Sequence, residues 1–384
     1  MKFGSWKGSI AAAALVFACW LAGCGKFFQA PVSTSTTTPS GSSSGNFYVV
    51  DEATKQIAGY SIVSGTLTPV TGSPYTLTAA PISIAIAPNG GFLYVGTPQG
   101  IYLYTIGSTG GLTLANSSTV ISADYAATMQ VDSTNKWLLE AGPNLAQLIA
   151  IPINSVTGAT TSTIEQKIQL PAATVFQLAL SPDNTHVFVA LGSSGTEEVI
   201  FAAGNADPFS TAVNIPTVNS AGAAVSVAID PQNRMFYVGE TAATTGSNSG
   251  GLRAFNYNTL VEATGSPYAT SGLAPYAILP EAKGNYVYAA NRNVSGSSSG
   301  NIAGFSFTST GTVYSLTALG STVSTGATPV SLAEDSQDAY LLVVDSGGSP
   351  DLEGYTMSSG KLTSAITSTT GADPVQAGAI AAAP

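Results

Sequence analysis

A module of about fifteen residues recurs along this chain and constrains its fold more than any other feature. A short apolar run leads to Pro or a small residue. A polar turn follows, then an apolar or aromatic run, then an abrupt polar stop. It reads SIAIAPNGGFLYVGT at Ser83–Thr97, QLALSPDNTHVFVAL at Gln177–Leu191 and SVAIDPQNRMFYVGE at Ser226–Glu240. It recurs as AILPEAKGNYVYAAN at Ala277–Asn291 and SLAEDSQDAYLLVVD at Ser331–Asp345, with a weaker copy at Thr128–Gly142. A split copy has its first half at Gly378–Pro384 and its second at Asn46–Asp51. The matching Pro or small positions are Pro88, Ser133, Pro182, Pro231, Ala282, Ser336 and Pro384, at steps of 45, 49, 49, 51, 54 and 48 residues. Short strands at a fixed period predict radial units, and seven copies predict an all-β, seven-bladed propeller with four antiparallel strands per blade. The split copy predicts one blade closed by both termini, with Ala377–Ala383 beside Asn46–Val50.

Second halves of the modules carry a hairpin signal: QIAGYSIVSGTLT at Gln56–Thr68, IYLYTIGSTGGLT at Ile101–Thr113, NIAGFSFTSTGTV at Asn301–Val313 and DLEGYTMSSGKLT at Asp351–Thr363. In three of them Gly59, Gly304 or Gly354 precedes Tyr60, Phe305 or Tyr355. These pairs are expected to let blades approach while the ring fills the wedge between them. Gly72-Ser73-Pro74-Tyr75 and Gly265-Ser266-Pro267-Tyr268 are expected to start the crossing from one blade to the next.

The chain has 384 residues, 44% of them hydrophobic but only 8% charged, with a formal net charge of −10. Ser, Thr, Asn and Gly must therefore keep the surface soluble. No basic patch exists, which argues against nucleic acid and against electrostatic docking on anionic lipid.

The N-terminus carries an address. Lys2 and Lys7 precede an apolar stretch, Ile10–Trp20, too short to span a bilayer. Leu21-Ala22-Gly23-Cys24 then resembles the lipobox of bacterial lipoproteins. That resemblance implies a signal peptide at 1–23 and Cys24 as lipid acceptor and anchor. A flexible tether follows over 24–45, and the propeller over 46–384. Removal of the signal peptide would leave 9 basic against 21 acidic residues. Val32–Gly45 (VSTSTTTPSGSSSG) has too little apolar surface to order itself. About 20 such residues reach on the order of 25 Å. Gly25, rather than Asp, points by resemblance to the outer membrane. Cys19 would leave with the signal, so no thiol remains for a disulfide or a nucleophile.

The repeats themselves resemble lactonase-like, YVTN-type seven-bladed propellers over nearly all of Asn46–Pro384. The match rests on the Pro-Asn/Asp turn before an apolar-Tyr-Val run and on the strand with Ser/Thr-x-Gly-x-Leu-Thr. The family includes 6-phosphogluconolactonases, carboxymuconate-cyclising enzymes and exported proteins of other kinds, so the resemblance implies architecture more than activity. Chemistry on propellers gathers at the channel mouth, where the second strand of each blade ends. Those positions are Asp51, Thr97, Gly142, Leu191, Glu240, Asn291 and Asp345. Asp51, Glu240, Asn291, Arg292 and Asp345 form the candidate ligand cup.

No catalytic residue is assigned, and no metal or cofactor is expected. His186, the one histidine, falls in a turn on the opposite face, as does Arg234. The reading is an envelope lipoprotein, a monomer, whose propeller binds a protein or glycan partner while its lipid sits in the membrane. The alternative is a lactonase-like hydrolase or cyclase, with Glu240 or Asp345 as base and Arg292 polarising a carbonyl.

Overall fold

In a computed structural model the chain is an all-β propeller. Residues 1, 43–115, 119–143, 146–161, 164–243, 249–347, 350–368 and 377–384 are described, and every regular element among them is a strand. The lipobox, Cys24 and most of the tether lie outside these residues. Strand β1 begins at Ser43, so the last three residues assigned to the tether belong to the sheet.

The first sheet contains β1 (Ser43–Asp51), β2 (Gln56–Val63), β3 (Thr66–Pro69), β4 (Tyr75–Thr76) and the last strand, β29 (Ala377–Ala382). Its order is β29-β1-β2-β3, with β4 also on β2. Phe47 pairs with Ala382 and Val49 with Ile380, as the split copy predicts. The second sheet is β5 (Ser83–Ile86), β6 (Phe92–Thr97), β7 (Gly100–Ile106) and β8 (Leu112–Leu114). The third is β9 (Thr128–Val131), β10 (Trp137–Ala141), β11 (Gln147–Pro152) and β12 (Gln166–Gln169). The fourth is β13 (Gln177–Leu180), β14 (His186–Ala190), β15 (Thr196–Phe201) and β16 (Phe209–Ile215). The fifth is β17 (Ala223–Ile229), β18 (Met235–Thr241), β19 (Gly251–Asn256) and β20 (Tyr268–Ala269).

The sixth sheet has eight strands. They are β21 (Pro275–Pro280), β22 (Tyr286–Asn291), β23 (Ser299–Thr310), β24 (Val313–Ala318), β25 (Val323–Glu334), β26 (Tyr340–Gly347), β27 (Leu352–Ser358) and β28 (Lys361–Ser368). Seven separate four-stranded sheets were expected, whereas hydrogen bonding joins the strands into six sheets. The cause is β25. Its first residues, Val323, Ser324 and Ala327, pair with β23, and from Pro329 onward it pairs with β26. The connection between units is itself strand, and it fuses two halves. In two other connections β4 and β20 also pair back onto β2 and β19, but they are too short to fuse sheets. The innermost strands touch in the cyclic order β29, β5, β9, β13, β17, β21, β25 and back to β29.

The polar turn of each module has one backbone requirement. Gly90, Asn135, Asn184, Asn233, Gly284 and Asp338 all have positive φ, between 53° and 71°. Each lies two residues after the repeating Pro or small residue, so Gly, Asn or Asp recurs there because those residues tolerate the left-handed region. An acidic side chain before the turn fixes it. Asp132 Oδ1 accepts the N–H groups of Lys136 at 2.7 Å and Trp137 at 2.6 Å. Asp335 accepts those of Ala339 and Tyr340 in the same way. These turns define the lower end of the ring.

Hydrophobic side chains from adjacent sheets meet in the seams. Tyr237, Leu252 and Ala254 pack on Val287, Ala289 and Phe305, for example. Tyr60, Phe305 and Tyr355 do fill such seams. The glycines before them act differently from the expectation: they make room within their own sheet. A Cβ on Gly59 would meet Val70 and Tyr48, one on Gly304 would meet Leu319 and Tyr288, and one on Gly354 would meet Ile366 and Leu342. Tyr48, Tyr288 and Leu342 are their cross-strand partners. The two Gly-Ser-Pro-Tyr copies are clips. The hydroxyl of Tyr75 accepts Leu112 N–H at 2.9 Å and that of Tyr268 accepts Leu316 N–H at 3.1 Å, each tying a unit to the outermost strand of the next.

Candidate functional site

The innermost strands enclose an axial cavity of about 560 Å³, lined by segments of β5, β9, β13, β17, β21, β25 and β29. Its polar side chains face a specific demand, because each innermost strand leaves one backbone edge unpaired. Thr128 Oγ1 accepts Leu178 N–H at 3.1 Å and Gln130 Oε1 accepts Leu180 N–H at 2.9 Å. Gln177 Oε1 accepts Val227 N–H at 3.2 Å, and Ser331 Oγ accepts Ile380 N–H at 3.3 Å. Each side chain thus serves the neighbouring strand, and the belt they form links the units. No carboxylate, histidine or cation lines this cavity among the described residues.

The predicted cup does not converge there. Asp51, Thr97, Asn291 and Asp345 are completely buried, and Glu240 is 1% exposed. Each sits at the upper end of its strand, opposite the turns. Where its partners are seen, the side chain faces sideways, into its own sheet's end or the connection arriving from the preceding unit. Glu240 accepts Val218 N–H at 3.0 Å and pairs with Arg253 at 2.7 Å. Arg253 in turn donates to Pro216 O at 2.7 Å and forms a two-pronged pair with Glu262 at 3.0 and 2.7 Å. Asn291 donates to Thr270 O at 2.9 Å and Asn301 Oδ1 at 2.7 Å, and accepts from Thr270 Oγ1 at 2.7 Å. Asp51 Oδ1 accepts Thr54 N–H at 3.1 Å. These groups close the upper ends of the sheets, and none of Glu240, Asp345 and Arg292 lines the axial cavity.

Arg292 is the member of the set that touches a side chain of the cavity wall. Its guanidinium lies over the Tyr276 ring, 4.7 Å from the centroid. Tyr276 meets Phe176 edge to face at 5.9 Å, and both rings line the cavity. Among the described residues no carboxylate pairs with Arg292. The rim therefore offers two aromatic faces and an available cation, suited to a ring carrying a carbonyl or carboxylate oxygen. Phe176 and Tyr276 escaped the sequence reading because one directly precedes an apolar strand and the other lies at the start of one, so both read as core.

His186 opens β14 at the lower end, as expected, but is wired rather than free. Its Nδ1 lies 2.6 Å from the Tyr257 hydroxyl, which donates to Asp183 Oδ1 at 2.9 Å, and its Nε2 lies 3.5 Å from Glu198. Burial lowers its pKa, with Asp183 opposing. Arg234 is also structural: it pairs with Asp230 and covers Phe307 at 3.7 Å. Among the described residues no group of three or more His, Cys, Asp or Glu could hold a metal ion.

No family model and no curated protein sequence matches the chain. Its fold is that of solved lactonase-like propellers. A Pseudomonas aeruginosa periplasmic gluconolactonase superposes with a TM-score of 0.66 at 16% identity, over 88% of this chain and 99% of that one. A Bacteroides fragilis protein solved as a candidate 6-phosphogluconolactonase gives 0.65 at 15% identity, over 88% and 97%. Hydrazine synthase from Kuenenia stuttgartiensis gives 0.58 at 13% identity, over 81% and 95%. At these identities the likeness establishes the fold, and the third structure shows that the fold carries unrelated chemistry. The chain is, in architecture, a β-propeller.

Proposed function

We propose that the protein is a lactonase-like hydrolase whose ligand enters the axial cavity past Arg292. The carrying observation is the Arg292 guanidinium, without a carboxylate partner among the described residues, set on Tyr276 at the cavity wall. Full-length likeness to gluconolactonase-type propellers supports the choice of a sugar lactone as substrate. Water would add to the lactone carbonyl and the ring C–O bond would break, giving the hydroxy acid. Arg292 would steady the oxyanion formed on the way, and Tyr276 and Phe176 would hold the sugar face. We propose further that the ring counts seven units, the eight-stranded sheet being two. The cyclic contact of seven innermost strands supports this.

A second reading, a binding module for a glycan or protein, is favoured by one observation: the described cavity wall supplies no base. One experiment separates the two. Full-length protein is assayed for hydrolysis of glucono-1,5-lactone and of its 6-phosphate against the spontaneous rate, with Arg292→Ala in parallel. Hydrolysis above background that falls at least tenfold in the variant supports the enzyme. Background rates with saturable, Arg292-dependent binding of gluconate hand the site to the binding reading.

Lipid anchoring through Cys24 and residence in the bacterial envelope, at the outer membrane, are part of the proposal. Cys24→Ser should release the protein from membranes or leave it unprocessed. A variant that partitions into detergent like the unmodified sequence removes the anchor.

A further inference from the structure

Two seams hold buried carboxyl groups whose oxygens meet no hydrogen-bond donor in bonding geometry. Glu140, on β10 and 1% exposed, has both oxygens sealed from solvent and without a hydrogen bond. Around it stand Asp124, placed to accept a hydrogen bond from a protonated Glu140, then Glu165 and, with the smallest effect, the Lys167 ammonium. Those neighbours are occupied with one another. Ser122 Oγ lies 3.1 Å from Asp124 and 3.2 Å from Glu165, and Lys167 pairs with Glu165 at 2.9 Å. Asp345, at the upper end of β26, is fully buried and both its oxygens also lack a hydrogen bond. It faces Glu353 and Asp351. Gly326 N–H and Thr325 lie close, outside bonding geometry, and Tyr355 spends its hydroxyl on Glu353 at 2.6 Å. Among the described residues no arginine or lysine pairs with Asp345.

Glu240, next to the end of β18 at the position matching Asp345, shows the other solution, with Arg253 at 2.7 Å. A carboxylate ion without partner or solvent costs several kcal/mol, whereas a neutral acid costs far less. A metal ion is not the missing partner, since no group of three or more such ligands is suitably placed among the described residues. We propose that Glu140 and Asp345 are neutral acids in the closed ring, and that their ionisation in alkaline medium loosens these two seams before the others. The seam of Glu140 joins the second and third sheets, and that of Asp345 joins the β21–β24 and β25–β28 halves of the sixth. The electrostatics agree. Burial first, then Asp124 and Glu165, push Glu140 up to about 9. Burial first, then Glu353 and Asp351, push Asp345 up to about 8.

The sign follows from proton counting. Between the ordinary carboxyl range and these raised values the folded ring holds two protons that the unfolded chain has released. Their contribution to stability is therefore fully present at low pH and is lost as pH rises through about 8 to 9. The test is melting temperature from pH 5 to 10 for the full-length protein, Glu140→Gln, Asp345→Asn and the double variant. The double variant should lose at least half of the decline. Glu240→Gln, which breaks an ion pair, should melt lower at every pH and keep the decline. A double variant as steep as the parent overturns the proposal. Should the variants fail to fold, infrared spectra of the parent at pH 7 decide: a protonated-carboxyl band present when folded and lost on unfolding supports it, and its absence overturns it.

Discussion

The two ends of the ring treat the same side chain in opposite ways. At the lower turns Asp132 and Asp335, both at most 2% exposed, receive several backbone N–H bonds each. At the upper end Asp345 is as deeply buried and receives none of ordinary geometry. Burial is equal, so the difference lies in what the backbone offers. A turn with a left-handed residue presents unpaired N–H groups that converge on one oxygen. At the end of β26 no such donor reaches Asp345 in bonding geometry, and a carboxylate there needs a cation or a proton.

The comparison can be pressed from both sides. The largest effect is expected from Arg253→Met, which turns the satisfied Glu240 into a group like Asp345. Removing one partner of a buried pair costs about 3–5 kcal/mol. Denaturant melts should show that loss at pH 8 and a smaller one at pH 5, where Glu240 can take up a proton. Equal losses at both pH values would remove the equivalence with Asp345. Next comes Asp132→Ala, which leaves the N–H groups of Lys136 and Trp137 without their acceptor. A loss of about 2–3 kcal/mol is expected from bonds to a charged group. A loss below 1 kcal/mol would mean that the turn holds itself. The smallest effect concerns Glu334, the exception at the lower end. One of its oxygens accepts Ala282 N–H at 2.8 Å, and the other is buried and unpartnered. Burial pushes it up to about 7, with the Ala282 amide opposing. Its contribution is present at low pH and lost as pH rises through about 7. Glu334→Gln should therefore melt slightly above the parent at pH 8 and no higher at pH 4, as calorimetry would show.

The lower end was legible in the sequence because its constraint is local. A left-handed residue recurs two positions after each Pro or small residue, and Asn, Gly and Asp mark it. The split copy was legible too, since register alone pairs Phe47 with Ala382. The upper end was not. Strands such as β6 and β18 are packed on both faces, so they read as unbroken apolar runs without alternation. Nothing then tells that Glu240 shares a face with Val238, in the seam, rather than facing the axis. The fused sixth sheet was hidden for another reason: Val323–Glu334 reads as a connection followed by a strand, and its pairing with β23 is made by backbone.

The pairing of β1 with β29 also sets an order of events. Phe47 and Ala382 lie more than three hundred residues apart in the chain, yet share a ladder. While a nascent chain is still emerging, β1 has one bare edge and the innermost place beside β5 is empty. Bare strand edges invite pairing with other chains. The ring therefore gains protection from self-association only once Ala377–Ala382 has paired with β1. A process that holds the chain unfolded until Ala377–Ala382 has emerged would suit it better than folding as it appears.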